Sequence, residues 1–312
     1  MSIVFGPIPS RRLGRSLGIN NIPPKACSYS CVYCQIGITD SMSVKRKEYY
    51  SPNEIFEEVS AKVKQFQNTE ERIDYLTFVP DGEPTLDINL GKSIDLLKSI
   101  GIKIAVITNS SLLWDEDVRK DLMRADWVSV KIDSTDENIW RKIDRPNGKL
   151  KLEKIISGIK TFASLYNGML VTETMLVKGM NDDIESIKRL AKTISQIKSG
   201  KSYILVPTRP PAEKYVKPPS EENLNLAYQT FRDLINNVEL LAYNEGSDFG
   251  YSSDVEKELL SILAVHPMQK NAVEIFLSKA KSDWNLVEKL IKQNLLKEIK
   301  YSGNTFFVKK LR

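Results

Sequence analysis

Strand-like and helix-like segments alternate over residues 16–242 of this 312-residue chain, and this alternation restricts the fold more than any other feature. The apolar runs that predict strands lie at 16–22, 73–79, 102–107, 127–132, 169–177 and 203–206. The segments between them space their apolar residues three and four apart, as amphipathic helices do. Strands joined through helices in this way are parallel and are covered on both faces. Six repeats therefore predict an α/β fold whose sheet is closed, or nearly closed, into a barrel.

The pattern changes after about residue 250. Three helices are predicted over 255–265, 270–279 and 283–293, and a turn at Ser302-Gly303-Asn304 then separates two short strands. This order resembles a winged helix, a small α+β domain that contacts nucleic acid in some proteins and protein in others. We predict two domains, 1–250 and 254–312, and both kinds of partner stay open for the second.

Charge is distributed unevenly along the chain. The net charge is +5, but residues 1–47 hold seven Lys and Arg against one acid, and residues 254–312 hold eleven against seven. Such basic ends only mildly favour a phosphate-bearing partner. No run approaches the roughly 20 apolar residues of a membrane span, and the first residues lack the features of a secretory signal. The sequence thus predicts a cytoplasmic protein with no membrane partner.

Histidine and cysteine are scarce, which excludes several kinds of chemistry. The single histidine, His266, lies far along the chain and argues against a histidine base or a zinc site with several histidines. All three cysteines, Cys27, Cys31 and Cys34, lie within eight residues, an odd set unsuited to disulfides. The C-x3-C-x2-C loop suits a [4Fe–4S] cluster that keeps one iron open. Zinc with a fourth ligand and incidental thiols are the alternatives.

The cysteine loop resembles the hallmark of the radical S-adenosylmethionine (SAM) superfamily, including an aromatic residue before the third cysteine, here Tyr33. The resemblance implies a partial (β/α)6 barrel whose three cysteines hold a [4Fe–4S] cluster, with SAM on the open iron and Tyr33 near the adenine. It also implies that one electron from the cluster cleaves SAM to methionine and a 5′-deoxyadenosyl radical, which abstracts hydrogen from a substrate. A reductase, flavodoxin or ferredoxin would supply that electron.

The turn after the second strand carries a further motif, at the barrel end where chemistry is expected. Gly82-Glu83-Pro84 resembles the second half of the superfamily's Gly-Gly-Glu motif, and Asp81 replaces the first glycine. The resemblance assigns Gly82, Glu83 and Pro84 to SAM binding. A carboxylate at Glu83 is suited to the ammonium group of SAM.

The third strand ends in Thr108-Asn109, which resembles the superfamily's Thr-Asn-Gly motif with Ser110 in place of the glycine. Such a sequence would otherwise indicate only a turn at the end of a strand. We predict that Thr108 and Asn109 also bind the cofactor.

Polar residues are predicted to point into the barrel from the fourth and fifth strands. Alternation along strand four sends Ser129, Lys131 and Asp133 to one face, and Glu173 lies in the middle of strand five. Burial of such groups is unfavourable unless they bind something. The superfamily uses strand four for the ribose of SAM, so we assign Ser129, Lys131 and Asp133 to cofactor binding. We also predict that Glu173 and Lys131 take part in catalysis.

Arginines near the predicted barrel mouth are candidates for binding an anionic group of the substrate. Arg11 and Arg12 precede the cysteine loop, Arg145 follows strand four, and Arg209 follows strand six. A guanidinium group binds carboxylate or phosphate in a bidentate manner. We predict substrate binding by these four, and a solvated basic arm is the alternative for the N-terminal pair.

Three functions stay open. The run Gly-Glu-Pro-Thr-Leu and the barrel layout resemble the wyosine-type tRNA-modifying group, but the further N-terminal cysteines of that group are missing, which disfavours the same reaction. The first function is modification of a base in RNA such as tRNA, held by the winged helix. The second is an activase that installs a radical on a protein. The third, a redox-sensing regulator that binds DNA, is disfavoured because a sensor does not need polar residues at several strand ends.

Overall fold

The computed structural model describes residues 3–66, 72–79, 81–242, 249–250 and 254–310. The strands are β1 (Val4–Ser10), β2 (Gly14–Ile19), β3 (Ala26–Cys27), β4 (Ser41–Met42), β5 (Tyr75–Phe78), β6 (Lys103–Thr108), β7 (Trp127–Lys131), β8 (Met169–Met175), β9 (Lys201–Leu205), β10 (Val238–Leu241), β11 (Met268–Gln269), β12 (Leu296–Tyr301) and β13 (Asn304–Lys309). The α-helices are α1 (Pro52–Phe66), α2 (Leu90–Leu97), α3 (Glu116–Leu122), α4 (Glu137–Ile143), α5 (Leu152–Leu165), α6 (Ile184–Ile194), α7 (Glu221–Leu234), α8 (Val255–Val265), α9 (Lys270–Lys279) and α10 (Asn285–Lys292).

Eight strands form one sheet in the order β1-β2-β5-β6-β7-β8-β9-β10. The strands from β2 to β10 are parallel, as predicted, and β1 and β10 lie at opposite edges, which makes the barrel a partial one. The antiparallel pairing of β1 with β2 is not predicted by the sequence. Pro7 and Pro9 obscure its strand pattern, and an edge strand tolerates proline because half of its N–H groups need no partner.

The helices cover the sheet through faces that the sequence pattern predicts. In α1, Ile55, Val59, Val63 and Phe66 are buried on one side, and each contributes about 1.5–3 kcal/mol by leaving water. The sequence Ser51-Pro52-Asn53-Glu54 predicts a helix start, and the Ser51 hydroxyl accepts a hydrogen bond from the backbone N–H of Glu54 at 3.1 Å, which confirms it.

Helix boundaries differ from the sequence pattern in several places, among them the start of α6, where the sequence predicts Asp182 as the cap, and the start of α10. The side chain of Asp183 caps helix α6 by accepting a hydrogen bond from the N–H of Ser186 at 3.0 Å. Asp182 does not cap the helix; its side chain accepts from Gly179 N–H at 2.7 Å and closes the preceding turn. Helix α10 begins at Asn285, two residues later than predicted. Side chains of Asp and Asn compete for the same backbone N–H groups, so neighbouring caps are hard to distinguish from sequence.

The C-terminal unit has the element order of a winged helix, α8-β11-α9-α10-β12-β13, with a three-stranded antiparallel sheet in the order β11-β13-β12. The predicted turn joins β12 to β13, with positive φ angles of 47° at Ser302 and 76° at Gly303. This is the geometry of a tight hairpin. The predicted small α+β domain is confirmed. The exact boundary between domains stays a prediction, because residues 251–253 lie outside the described residues.

The C-terminal unit packs directly on the barrel. Phe5 and Ile8 of β1 share an apolar core with Leu259 and Ile262 of α8, and the N–H of Gly250 donates to the carbonyl of Pro7 at 2.9 Å. The unit is therefore seated against the edge strand beside the barrel mouth. Among the described residues, no helix combines the length and apolar character needed to cross a bilayer.

Candidate active site

The three cysteines surround one cavity of about 180 Å³ at the carboxyl ends of the strands. All three are free thiols. Their loop is anchored by the end of α4, because Ser30 N–H donates to the carbonyl of Asp144 at 3.0 Å and Val32 N–H donates to that of Ile143 at 2.9 Å. The loop geometry is thus fixed by protein contacts.

This donor set fits the predicted iron–sulfur cluster. Burial raises the pKa of Cys27 to about 12 and raises the pKa values of Cys31 and Cys34 as well, so the thiols need a bound cation to ionise. The zinc alternative finds no support, because the described ranges contain no three His, Cys, Asp or Glu side chains grouped for a single ion. The three thiols line one cavity of about 180 Å³.

Gly82 lets the turn after β5 lie directly against the cysteine loop. A Cβ atom at this position would lie 1.9 Å from the carbonyl oxygen of Ala26. That close approach allows two backbone hydrogen bonds, from Lys25 N–H to the Asp81 carbonyl at 2.6 Å and from Glu83 N–H to the Ala26 carbonyl at 3.1 Å. Gly82 therefore has a structural role in placing Cys27, in addition to its predicted role in SAM binding.

Glu83 is held by hydrogen bonds within the protein. Its carboxylate accepts from the hydroxyls of Thr85 and Thr108, each at 2.6 Å, and from the N–H groups of Thr85 at 3.0 Å and Asn109 at 2.7 Å. Burial raises the pKa of Glu83, and these hydrogen bonds oppose the rise. The side chain links the ends of β5 and β6, and its contact with the ammonium group of SAM stays a prediction.

The Thr108-Asn109 turn contacts the cysteine loop. The side-chain amide of Asn109 donates to the Ser28 hydroxyl at 2.9 Å and lies 3.5 Å from the sulfur of Cys27. Ser110 has a φ of +69°, a conformation that glycine adopts most easily. Its hydroxyl accepts from Lys131 N–H at 2.7 Å. The serine therefore adopts a backbone conformation typical of the glycine in the superfamily motif and links β6 to β7.

Tyr33, Lys131 and Asp133 form one cluster beside the cysteines. The Tyr33 hydroxyl donates to the Asp133 carboxylate, and the Lys131 ammonium lies 4.9 Å from the centre of the Tyr33 ring. Burial favours a lower pKa for Lys131, but Asp133 and Glu173 more than offset this and raise it. Asp133 also accepts from Met175 N–H at 2.8 Å. Lys131 borders the cysteine cavity, where its charge is available to a ligand.

Glu173 and Ser129 are buried inside the barrel, as their strand alternation predicts. The Glu173 carboxylate forms an ion pair with Arg12, which reaches in from the turn between β1 and β2. Burial raises the pKa of Glu173, but Arg12 and Lys131 bring it below its ordinary value. Glu173 is therefore an anion at neutral pH, and its predicted catalytic role stays a prediction.

The four predicted substrate-binding arginines differ in position. Arg12 and Arg209 line a second cavity, and Arg209 also donates to Gln35 at 2.7 Å. Arg11 is exposed and is not among the described residues that line either cavity. Arg145 forms an ion pair with Glu213 and donates to the Tyr215 hydroxyl at 3.0 Å. It also lines neither of these cavities, so Arg11 and Arg145 have no substrate contact that this geometry supports.

The second cavity adjoins the first and has a volume of about 170 Å³. Ile36, Val79, Asp81 and Ile107 line both cavities and form their common boundary. The remaining wall combines apolar and polar residues of the barrel with residues of the C-terminal unit, namely Phe5, Ile8, Ser10, Arg12, Leu13, Ser16, Gly18, Gln35, Thr77, Arg209, Val265 and His266. A substrate held here would lie beside the cofactor and against the winged helix at once.

Sequence reasoning missed three residues of this second cavity. Gln35 bridges the two domains by accepting from Arg209 and donating to the Val265 carbonyl at 2.9 Å. His266 lines the wall and packs edge-on against Phe249, with ring centres 5.2 Å apart, although it lies far along the chain. Asp81 had a signal, because it departs from the Gly-Gly-Glu motif. The other two had no local signal.

Comparisons with known proteins agree with this geometry. The profile of the radical SAM superfamily matches residues 21–191. The UPF0026 protein MJ1312 of Methanocaldococcus jannaschii is 45% identical over the whole chain and 97% of its own length. The probable dual-specificity RNA methyltransferase RlmN of Endomicrobium trichonymphae is 27% identical over 64% of this chain and 57% of its own. A solved radical SAM methyltransferase from Sphaerobacter thermophilus has the same fold over 73% of this chain and 66% of its own, with a TM-score of 0.56 and 14% identity.

Proposed function

The chain belongs to the radical SAM superfamily, and from that premise we propose that it modifies a base of RNA. As a member of that superfamily it is an enzyme that uses a [4Fe–4S] cluster and SAM. We infer that Cys27, Cys31 and Cys34 hold the cluster, since they are the free thiols around one cavity. When bound, the cluster supplies the electron that cleaves SAM to methionine and a 5′-deoxyadenosyl radical.

The chain's own residues prepare the site for SAM. Lys131 supplies a positive charge at the cysteine cavity, and Tyr33 presents its ring there. Glu83 and Asn109 are fixed by hydrogen bonds, so they can meet the ligand without rearrangement. We propose that these four residues contact SAM, that Asp133 holds Tyr33 and β8 in position, and that the buried Ser129 hydroxyl contacts the cofactor.

The observation that carries the RNA proposal is the position of the second cavity. It adjoins the cysteine cavity on one side and takes Val265 and His266 of the winged helix on the other. Enzymes that react at a base in nucleic acid extrude the base into a pocket beside the reactive centre, where polar groups read its edge and apolar side chains pack on its ring. A winged helix at the rim is suited to hold the surrounding strand.

Two further observations support RNA over a protein partner. The RlmN relative is named as a probable dual-specificity RNA methyltransferase, and its similarity extends over 64% of this chain. Lys289 and Lys292 are exposed on α10, the helix in the recognition position, although Lys289 also pairs with Glu256 at 2.7 Å. Such lysines contribute to phosphate binding. We further propose that the enzyme is cytoplasmic and receives its electron from a flavodoxin, ferredoxin or reductase.

The test is anaerobic reconstitution with iron and sulfide, followed by SAM, dithionite and total cellular RNA. We expect RNA to increase the formation of 5′-deoxyadenosine above its rate without substrate, and the double variant Lys289→Ala, Lys292→Ala to reduce that increase at moderate salt. The matched control is the double variant Lys188→Ala, Lys192→Ala. These two lysines are also exposed, but they lie four residues apart on helix α6 of the barrel and not on the winged helix. If RNA has no effect and a protein extract has one, the activase function replaces this proposal.

A further inference from the structure

Asp81 is a buried carboxylate with no partner inside the protein. It is 1% exposed and lines both cavities, and neither of its side-chain oxygens has a hydrogen-bond partner. Among the described residues, the Asp81 carboxylate also has no oppositely charged group within 4 Å. A buried carboxylate left in this state is unfavourable unless a ligand completes it.

The backbone holds Asp81 firmly in place. Its N–H donates to the side-chain oxygen of Asn20 at 3.2 Å, and its carbonyl accepts from Lys25 N–H at 2.6 Å. Burial raises the pKa of Asp81 to about 7, and Lys309 on β13 opposes the rise without reaching the carboxylate. The side chain is therefore positioned in advance, as a group that recognises a ligand needs to be.

Two free oxygens on one carboxylate can accept from two N–H donors that lie side by side. Among the four RNA bases, guanine alone offers such a pair on its Watson–Crick edge, at N1 and the exocyclic amine. Adenine and cytosine offer an amine next to an acceptor, and uracil offers one N–H between two carbonyls. The apolar walls contributed by Ile8, Leu13 and Ile107 suit a flat ring.

Resting on the proposed function, we propose that Asp81 binds the Watson–Crick edge of a guanine held in the second cavity. The base lies beside the cysteine cavity in this arrangement, because Asp81 forms part of the boundary between the two. Asp81 is thus a residue that determines substrate specificity.

The experiment measures binding of short oligouridine strands that carry one central guanosine, inosine or adenosine, with reconstituted enzyme and SAM. Inosine lacks the exocyclic amine, so it keeps only one of the two donors. We expect the guanosine strand to bind about tenfold more tightly than the inosine strand, the difference that one hydrogen bond to a charged group produces. Asp81→Asn should reduce this ratio to near one, while Asp40→Asn, an exposed control, should keep it.

The ratio between strands separates base recognition from general charge effects, since every strand carries the same phosphates. Iron content and the thermal unfolding midpoint verify that the Asp81→Asn variant is folded. If the variant does not fold, the ratio of guanosine-strand to inosine-strand affinity in the unaltered enzyme still tests the proposal. Tight binding of all three strands with no preference overturns the guanine assignment and leaves RNA as the substrate. Failure of every strand to bind overturns the RNA proposal itself, and the guanine assignment with it.

Discussion

The two cavities share a wall but differ in how their polar groups are satisfied. On the cysteine side, Glu83 accepts four hydrogen bonds, and Tyr33 and Asp133 are bonded to each other. On the wall that this cavity shares with the second one, by contrast, Asp81 has no partner for either oxygen. A site whose groups are already fixed suits a cofactor that is the same in every turnover. A group that is fixed in place but unsatisfied indicates where the variable ligand completes the structure.

Removing a cluster ligand should have the largest effect on the cysteine side. Cys27→Ala, Cys31→Ala and Cys34→Ala should each lower the iron of the reconstituted protein from about four atoms per chain to nearly none, because the chain has no other thiol to substitute. Iron analysis and the charge-transfer absorption measure this. Ser41→Ala in the same segment is the control, and full iron content in any cysteine variant contradicts the ligand assignment.

Asp81→Asn should stabilise the apoprotein in a manner that depends on pH. The folded pKa of Asp81 is raised to about 7, so the folded protein holds one more proton than the unfolded chain between about pH 4 and 7. The unaltered protein therefore loses stability as pH rises through that window, whereas an amide does not titrate. The gain from Asp81→Asn should grow to at most about 4 kcal/mol above pH 7.

Urea unfolding at pH 5 and pH 8 measures this gain. The matched control is Asp182→Asn, since Asp182 is also buried but accepts from Gly179 N–H at 2.7 Å and from the Asn223 amide at 3.1 Å. Its replacement should destabilise the protein by removing made hydrogen bonds. If Asp81→Asn also destabilises at pH 8, the contrast between the two cavities is wrong.

Gly82→Ala should disturb the contact that positions the cysteine loop. The new methyl group would overlap the carbonyl oxygen of Ala26, so the backbone must shift at a cost of about 3 kcal/mol. Thermal and urea unfolding should reveal the loss, together with a lower iron content. Gly148→Ala has open space and an ordinary φ, and it should change neither property. Equal stability of the two variants would contradict the close packing.

Of the four changes considered, Gln35→Ala should have the smallest effect, and that effect should be confined to the second cavity and the domain contact beside it. It removes the hydrogen bonds to Arg209 and to the carbonyl of Val265, and it should lower the free energy of unfolding by about 2 kcal/mol. Faster hydrogen exchange in α8 would locate the change at the domain contact. Gln196→Ala, which loses one exposed contact with Lys160, should have little effect on either measurement.

The sequence predicted the parallel strands well because each is a short apolar run between amphipathic helices. It missed α4, since a seven-residue helix spans only two turns and leaves little periodicity. The cysteines and strand-end motifs were found from local spacing. The contacts between distant residues could not be found in this way. The ion pair of Arg12 with Glu173 joins residues 161 positions apart, and the hydrogen bond from Gln35 to Val265 joins residues 230 positions apart. Such contacts depend on tertiary packing, which no local pattern encodes.

His266 has a practical consequence that follows from composition. It is the only imidazole in the chain, and it forms part of the wall of the second cavity. A proton NMR spectrum of the protein therefore contains one set of imidazole signals, and these can be assigned to His266 without mutagenesis. Any ligand that fills this cavity should shift those signals, so the natural protein already carries its own reporter for screening candidate substrates.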